Sequence, residues 1–176
     1  MMQGTIVLGG SPWTPSLSEG LRLHHIGFVV SSIGESAPGF VSNLGMEWSG
    51  EIFDDPVQDV RVTFLRHRLA GLPLIELVEP SSAKSHILGF VKRGGGLHHL
   101  CYEVDELDRH LESIVGSGAI LVRQPAPAVA FGGQHIAWIC TSERLLVEFL
   151  ERKPSVRPQA EGFVPDVPAL DQAGVR

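Results

Sequence analysis

From residue 22 to residue 30 the chain alternates two kinds of side chain. Ile26, Phe28 and Val30, with His24, occupy one parity, and His25, Gly27 and Val29 the other. A period of two predicts a strand with one bulky apolar face. The same alternation returns over 97–104, where Leu100, Tyr102 and Val104 share a parity with His98, and Cys101 and Glu103 share one with His99. After the first strand, residues 31–44 carry Ile33, Ala37, Phe40 and Val41 as an apolar stripe, which predicts a crossover helix weakened by Pro38 and Gly39. Three strand-like runs follow at 46–53, 60–66 and 74–78, separated by Asp54-Asp55-Pro56 and by Ala70-Gly71-Leu72-Pro73. After the second strand, Asp105 is placed to cap a helix striped by Leu107, Leu111, Ile114 and Val115, and strands are expected near 119–123, 134–140 and 145–151.

These two series are one series written twice. Leu23-His24-His25-Ile26-Gly27 is echoed by Leu97-His98-His99-Leu100-Cys101 at an offset of 74 residues, and Leu74-Ile75-Glu76-Leu77-Val78-Glu79 by Leu146-Val147-Glu148-Phe149-Leu150-Glu151 at an offset of 72. Near-constant spacing of two separate echoes predicts a duplicated βαβββ module. The expected fold is therefore α+β: two tandem modules, 22–80 and 97–152, whose curved sheets pair into a half-barrel around a cavity, with the helices outside. A linker helix over 82–93 and the turn Gly94-Gly95-Gly96 fill the join at 81–96. An N-terminal arm at 1–21 and a tail at 153–176, broken by Pro154, Pro158, Pro165 and Pro168, flank the modules.

Alternation also selects histidines. His24 and His98 fall on the bulky apolar parity expected beneath a helix, whereas His25 and His99 fall on the parity of small and polar residues, where a pocket has room. Each module then offers an imidazole on its first strand and a carboxylate, Glu76 or Glu148, on its last. A glutamate inside an apolar strand requires a positive partner. His25, Glu76, His99 and Glu148 converging between the halves make a metal site with mixed nitrogen and oxygen donors, suited to a divalent ion such as Co, Ni, Mn, Zn or Fe, with coordination positions left for substrate.

Composition narrows the function. The chain has 176 residues, 43% of them hydrophobic, and a formal net charge of −6. No cluster of Lys and Arg makes a footprint for nucleic acid, and no segment is long enough to cross a bilayer, so the expected partner is a small molecule and the expected compartment the cytoplasm. Two cysteines are too few for a secreted disulfide framework. His67, His86 and His110 read as solvated. His135 is placed either to line the cavity or to serve a structural role, and Cys101 shares the parity of His99.

The words His25-Ile26-Gly27, Ile75-Glu76-Leu77-Val78-Glu79-Pro80 and Ile87-Leu88-Gly89-Phe90, leading into Gly94-Gly95-Gly96-Leu97-His98-His99, resemble those of the vicinal oxygen chelate superfamily. Within that group, which includes glyoxalase I, bleomycin-binding proteins and extradiol dioxygenases, they look most like the methylmalonyl-CoA epimerase family. The resemblance covers about residues 22–152 and places the family's metal ligands on the same four residues. It implies a 1,1-proton transfer on an acyl thioester through an enolate, with Glu148 as one base and Glu51, or its competitor Glu47 of the same parity, as the other. It also implies a homodimer. A glyoxalase I-like lyase and a metal-free binding or resistance protein are the alternative readings of the same fold. The sequence departs from the epimerases at Pro38-Gly39 and at Thr141-Ser142-Glu143-Arg144, where a glycine-containing turn is expected.

Overall fold

The computed structural model describes residues 21–152, and it is organised about one junction. There the first strand, β1 (Arg22–Val29), runs antiparallel to β6 (Gly96–Val104). Outward from this junction the two halves repeat each other. β1 lies parallel to β5 (Leu74–Pro80), which pairs antiparallel with β4 (Val60–Arg66). β6 lies parallel to β9 (Leu146–Glu151), which pairs antiparallel with β8 (His135–Cys140), itself paired with β7 (Ile120–Pro127). The result is a nine-stranded curved open sheet of the α+β class, with β2 (Glu47–Trp48) at one end and β7 at the other. The arm expected before Leu21 and the proline-rich tail lie outside the described residues.

The helices cover the convex side. α1 (Ile33–Leu44) buries Ile33 and Ala37 against Ile75, Leu77 and Leu65, with Ile26, Phe28 and Phe40 packed alongside. This helix forms in spite of Pro38 because its ends are well held. The Ser32 hydroxyl accepts from Glu35 N, the buried Glu79 carboxylate accepts from Ile33 N at 2.6 Å, and Gly45 closes the helix at φ 64°. A carboxylate at a helix N-terminus is also favoured by the helix dipole. α3 (Leu107–Gly116) packs Leu107 and Leu111 against Val104, Val147 and Phe149 in the same way.

Three expectations are corrected. The single strand expected over 46–53 is two, β2 and β3 (Phe53–Asp55), both paired with β4. Residues 49–52 are accommodated opposite only Thr63 and Phe64, and Gly50 at φ 83° turns the surplus outward. The linker helix is confined to α2 (Leu88–Lys92), because the Ser81 and Ser82 hydroxyls donate to the Asp59 carboxylate at 2.6 and 2.7 Å and hold that chain against the β3–β4 turn. Asp105 does not cap α3. Its carboxylate takes Arg152 Nη1 at 2.6 Å, and Glu106 stands at the cap position without a side-chain bond. The triple glycine does what its composition requires: Gly94, Gly95 and Gly96 take φ of 108°, 67° and 105°. A side chain on Gly95 would strike the carbonyl of Val29.

Candidate metal centre

Strand register brings the four sequence-selected side chains together. His25 and His99 come from the two central strands, and Glu76 and Glu148 from the strands that flank them. His25 Nε2 lies 3.1 Å from His99 Nε2, 3.2 Å from Glu148 Oε2 and 3.4 Å from Glu76 Oε2. His99 Nε2 lies 3.3 Å from Glu76 Oε2 and 3.9 Å from Glu148 Oε2. All four residues are buried on the concave side of the sheet. Gly27 makes the close approach possible: it faces His99 across the junction, and a Cβ there would lie inside the imidazole.

This donor set fits a divalent ion. Two donor atoms each about 2.1 Å from one ion, at angles between 90° and 110°, are separated by roughly 3.0–3.4 Å, which is the spacing of most of these contacts. The ligand atoms of His25, His99 and Glu148 all lie within 4.8 Å of one another. Glu148 Oε2 is buried and, although 3.2 Å from His25 Nε2, is met by no donor in hydrogen-bonding geometry among the described residues, the condition of an acceptor suited to a cation. Without an ion, protons must do the compensating. Burial disfavours the His25 imidazolium, yet the Glu76 and Glu148 carboxylates outweigh burial and raise His25 to about 10. Burial pushes Glu76 up, and the facing imidazoles of His25 and His99 more than reverse it, leaving it below the usual carboxylate range. Cys101 also faces this centre, and burial followed by the Glu148 charge drives its thiol well above the ordinary range. It is not a nucleophile at neutral pH.

A cleft opens over the centre. Glu76, His99 and Glu148 form its floor, Val60, Val62 and Val78 line it from the first half, and Ala130, Phe131 and Trp138 line it from the second. Phe131 stacks on His25 at 5.9 Å between ring centroids, and Trp138 meets His99 edge to face at 4.7 Å. Two buried donors line it without partners among the described residues, Trp138 Nε1 and Gln58 Nε2. Arg123 donates to Gln58 Oε1, which leaves the amide nitrogen as the free end. Sequence reading missed both. Gln58 sits in a turn, where a buried amide has no periodic signal, and Trp138 was legible only as a strand residue.

The remaining candidates separate. Glu51 lies on the outward excursion between β2 and β3, exposed and outside the lining of the cleft. Glu47 is paired with Arg66 at 2.6 Å in a different groove. His135 is exposed beside Glu151 at 3.4 Å, away from the cleft, and His110 packs edge-on against Phe149 at 4.6 Å. His24 and His98 do not face the helices. Between Leu23 and His25, and again at His98, one strand of the central pair carries an extra residue, which shifts the alternation by one and puts both histidines of each pair on the concave side.

A family model described as the glyoxalase/bleomycin resistance protein/dioxygenase superfamily matches residues 24–138. The chain belongs to that superfamily. Within it, the chain is 30% identical over 122 residues to the ethylmalonyl-CoA/methylmalonyl-CoA epimerase of Cereibacter sphaeroides, an alignment covering 67% of this chain and 87% of the relative. It is 31% identical over 137 residues to the uncharacterized protein YqjC of Bacillus subtilis, covering 75% and 93%. The crystal structure of methylmalonyl-CoA epimerase from Mycobacterium tuberculosis superposes with a TM-score of 0.64 at 26% identity, covering 77% of this chain and 89% of that one. Superfamily membership agrees with the duplicated sheet, and the epimerase relatives support an epimerase-like enzyme.

Proposed function

We propose that the protein is a metal-dependent epimerase that moves the proton on the carbon between a carboxylate and a thioester, with methylmalonyl-CoA or a related acyl thioester as substrate. The observation that carries this reading is the convergence of His25, Glu76, His99 and Glu148 beneath a cleft whose walls are largely apolar, with Glu76, His99 and Glu148 reaching its floor. These four residues would hold a divalent ion, which supplies a positive charge against the oxygen where an enolate develops. The family resemblance and the donor set support the ion, and the epimerase relatives support the substrate class.

The residues of the chain do the rest. Val60, Val62, Val78 and Phe131 exclude water around the acyl group, which strengthens each charge interaction at the floor. Trp138 Nε1–H and the Gln58 amide offer neutral donors to acyl oxygens. Inversion requires a proton acceptor on one face of the carbon and a donor on the other. Glu148 takes one role. We assign the second role to Glu76, which occupies the corresponding place in the other half of the molecule, because Glu51 stands outside the cleft and Asp55, the remaining carboxylate of its lining, is held by the backbone N–H groups of Val57, Gln58 and Val129. A two-fold relation between two carboxylates is what a reaction with mirror-related substrate and product calls for.

The test is solvent exchange. Purified protein loaded in turn with Co, Ni, Mn, Zn and Fe is incubated with methylmalonyl-CoA in deuterium oxide. Deuterium appearing at C2 with at least one ion, and not after chelation, is the expected result. A stoichiometrically loaded protein that catalyses no exchange on any malonyl-type thioester, and instead turns over a glutathione hemithioacetal, would move the assignment to a glyoxalase-type isomerase.

A further inference from the structure

The histidine pairs were expected to split between the two faces of the sheet, and they do not. In each half an extra residue in the central strand pair, His24 in β1 and His98 in β6, carries the first imidazole of the pair to the same side as the second. The contact that results is the same in both halves. His24 Nδ1 lies 2.9 Å from His25 Nδ1, and His98 Nδ1 lies 3.0 Å from His99 Nδ1. Each pair is crossed edge to face, at 5.2 and 5.3 Å between ring centroids. The two outer rings are braced by aromatic neighbours, His24 by Phe131 and His98 by Phe90.

We infer that His24 and His98 are positioning residues for the metal centre, each accepting the Nδ1–H of the histidine that follows it and so turning that histidine's Nε2 lone pair toward the ion. The inference rests on the metal-centre reading above. Its logic is one of valence. A neutral imidazole has one donor nitrogen and one acceptor nitrogen, and the Nε2 atoms of His25 and His99 are the ones that meet Glu76 and Glu148. An Nε2 that ligates a cation has its proton on Nδ1, and that proton needs an acceptor. Across metal sites a carboxylate, a carbonyl or a water usually supplies it. Here, among the described residues, the Nδ1 atoms of His25 and His99 are met by the rings of His24 and His98. With Nδ1 accepting, His24 and His98 carry their own protons on Nε2. Occurrence of one arrangement in both halves, each requiring its own local break in strand register, argues against an accident of packing.

Two substitutions at each position separate a hydrogen-bonding role from a space-filling one. His24→Phe and His98→Phe keep a ring and remove the nitrogen, whereas His24→Asn and His98→Asn lose the ring and keep a polar atom at about the position of Nδ1. Metal affinity is measured by chelator competition, and the ligand field by the visible absorption of the Co(II)-loaded protein, with circular dichroism confirming the fold of each variant. Each Phe variant should bind Co(II) and Zn(II) about 10- to 100-fold more weakly with an altered cobalt spectrum, and each Asn variant should stay within a few-fold of the parent. Phe variants that match the parent, or Phe and Asn variants that lose affinity equally, overturn the inference. A measurement on the unmodified protein guards against variants that do not fold. Long-range proton–nitrogen spectra of the Zn(II)-loaded chain should show His24 and His98 protonated on Nε2 and His25 and His99 on Nδ1, and the opposite assignment overturns it. A parent protein that takes up no ion would instead overturn the metal-centre reading, before any variant is made.

Discussion

His25 and His99 meet Nε2 to Nε2 at 3.1 Å across a strand pair whose members are 74 residues apart in the chain. Two buried ring nitrogens so placed, with a carboxylate oxygen on each side, leave the protein with charges to compensate whenever no cation lies between them. The consequences of that arrangement are measurable.

The first concerns which carboxylates act. Glu148→Gln and Glu76→Gln should each lower the rate of C2 exchange by 10²-fold or more, since each removes a proton-transfer group and an anionic metal ligand together. Glu51→Gln should leave the rate within about two-fold of the parent, because Glu51 stands on the exposed excursion between β2 and β3. A large loss at Glu51 would show that this segment folds over the cleft during turnover and would restore the sequence-based assignment of the second base.

Gly27 faces the centre of the site without touching chemistry. Gly27→Ala drives a methyl group into the His99 ring, and either the ring or β1 must move. The expected result is a loss of metal affinity together with overpacking that destabilises the fold by roughly 1–3 kcal/mol. Chelator competition and thermal melting of the metal-free variant measure the two effects separately.

Much of this site was legible in the sequence, and the failures are instructive. Duplication brings His25 to His99 and each of them to the glutamate of the other half, and it is readable in the sequence because a repeat constrains long-range pairing in a way that local propensity does not. Alternation placed Ile26, Phe28, Leu100 and Val104 correctly. It failed at His24 and His98, since one extra residue in a strand reverses parity and leaves no mark in the hydrophobic pattern. The second base is not a matter of parity: the resemblance points to Glu51 over Glu47, two residues that alternation cannot separate, and the break between β2 and β3 leaves Glu51 on an exposed excursion. Gln58 was invisible because turn residues are buried by what folds over them, in this case Arg123 from β7.

The pH dependence of the metal-free protein should report the proton held at His25. Its folded value, about 10, lies above the unfolded value of 6.5 because Glu76 and Glu148 outweigh burial. A raised value means that this stabilisation is complete below pH 6.5 and is lost as pH rises toward 10. Glu76 is shifted the other way, so its contribution is complete above about 4.5 and is lost as pH falls. The melting temperature of chelated protein should therefore pass through a maximum between about pH 5 and 6.5 and decline toward pH 10. Saturating Co(II) or Zn(II) should remove the alkaline decline, since the ion replaces the proton, and at a hundred-fold excess over Kd should add about 2.7 kcal/mol. An alkaline limb identical with and without ion would place the cation elsewhere.

Trp138 gives the sharpest test of the substrate cleft, because two effects of one substitution should run in opposite directions. Its Nε1–H is buried at the cleft without a partner among the described residues, while its ring packs against His99 at 4.7 Å. Trp138→Phe keeps an aromatic ring on His99 and deletes the donor. If the donor stands ready for an acyl oxygen, the ligand-free protein loses an uncompensated polar group, whose burial costs about 1–3 kcal/mol, so its melting temperature should hold or rise. The bound state loses a hydrogen bond of roughly 0.5–1.5 kcal/mol, so KM for a malonyl-type thioester should rise by several-fold with kcat little changed. A variant that is less stable and binds the thioester as well as the parent would make Trp138 a packing residue, and the acyl oxygens would then have to be held by Gln58 and the floor of the cleft alone.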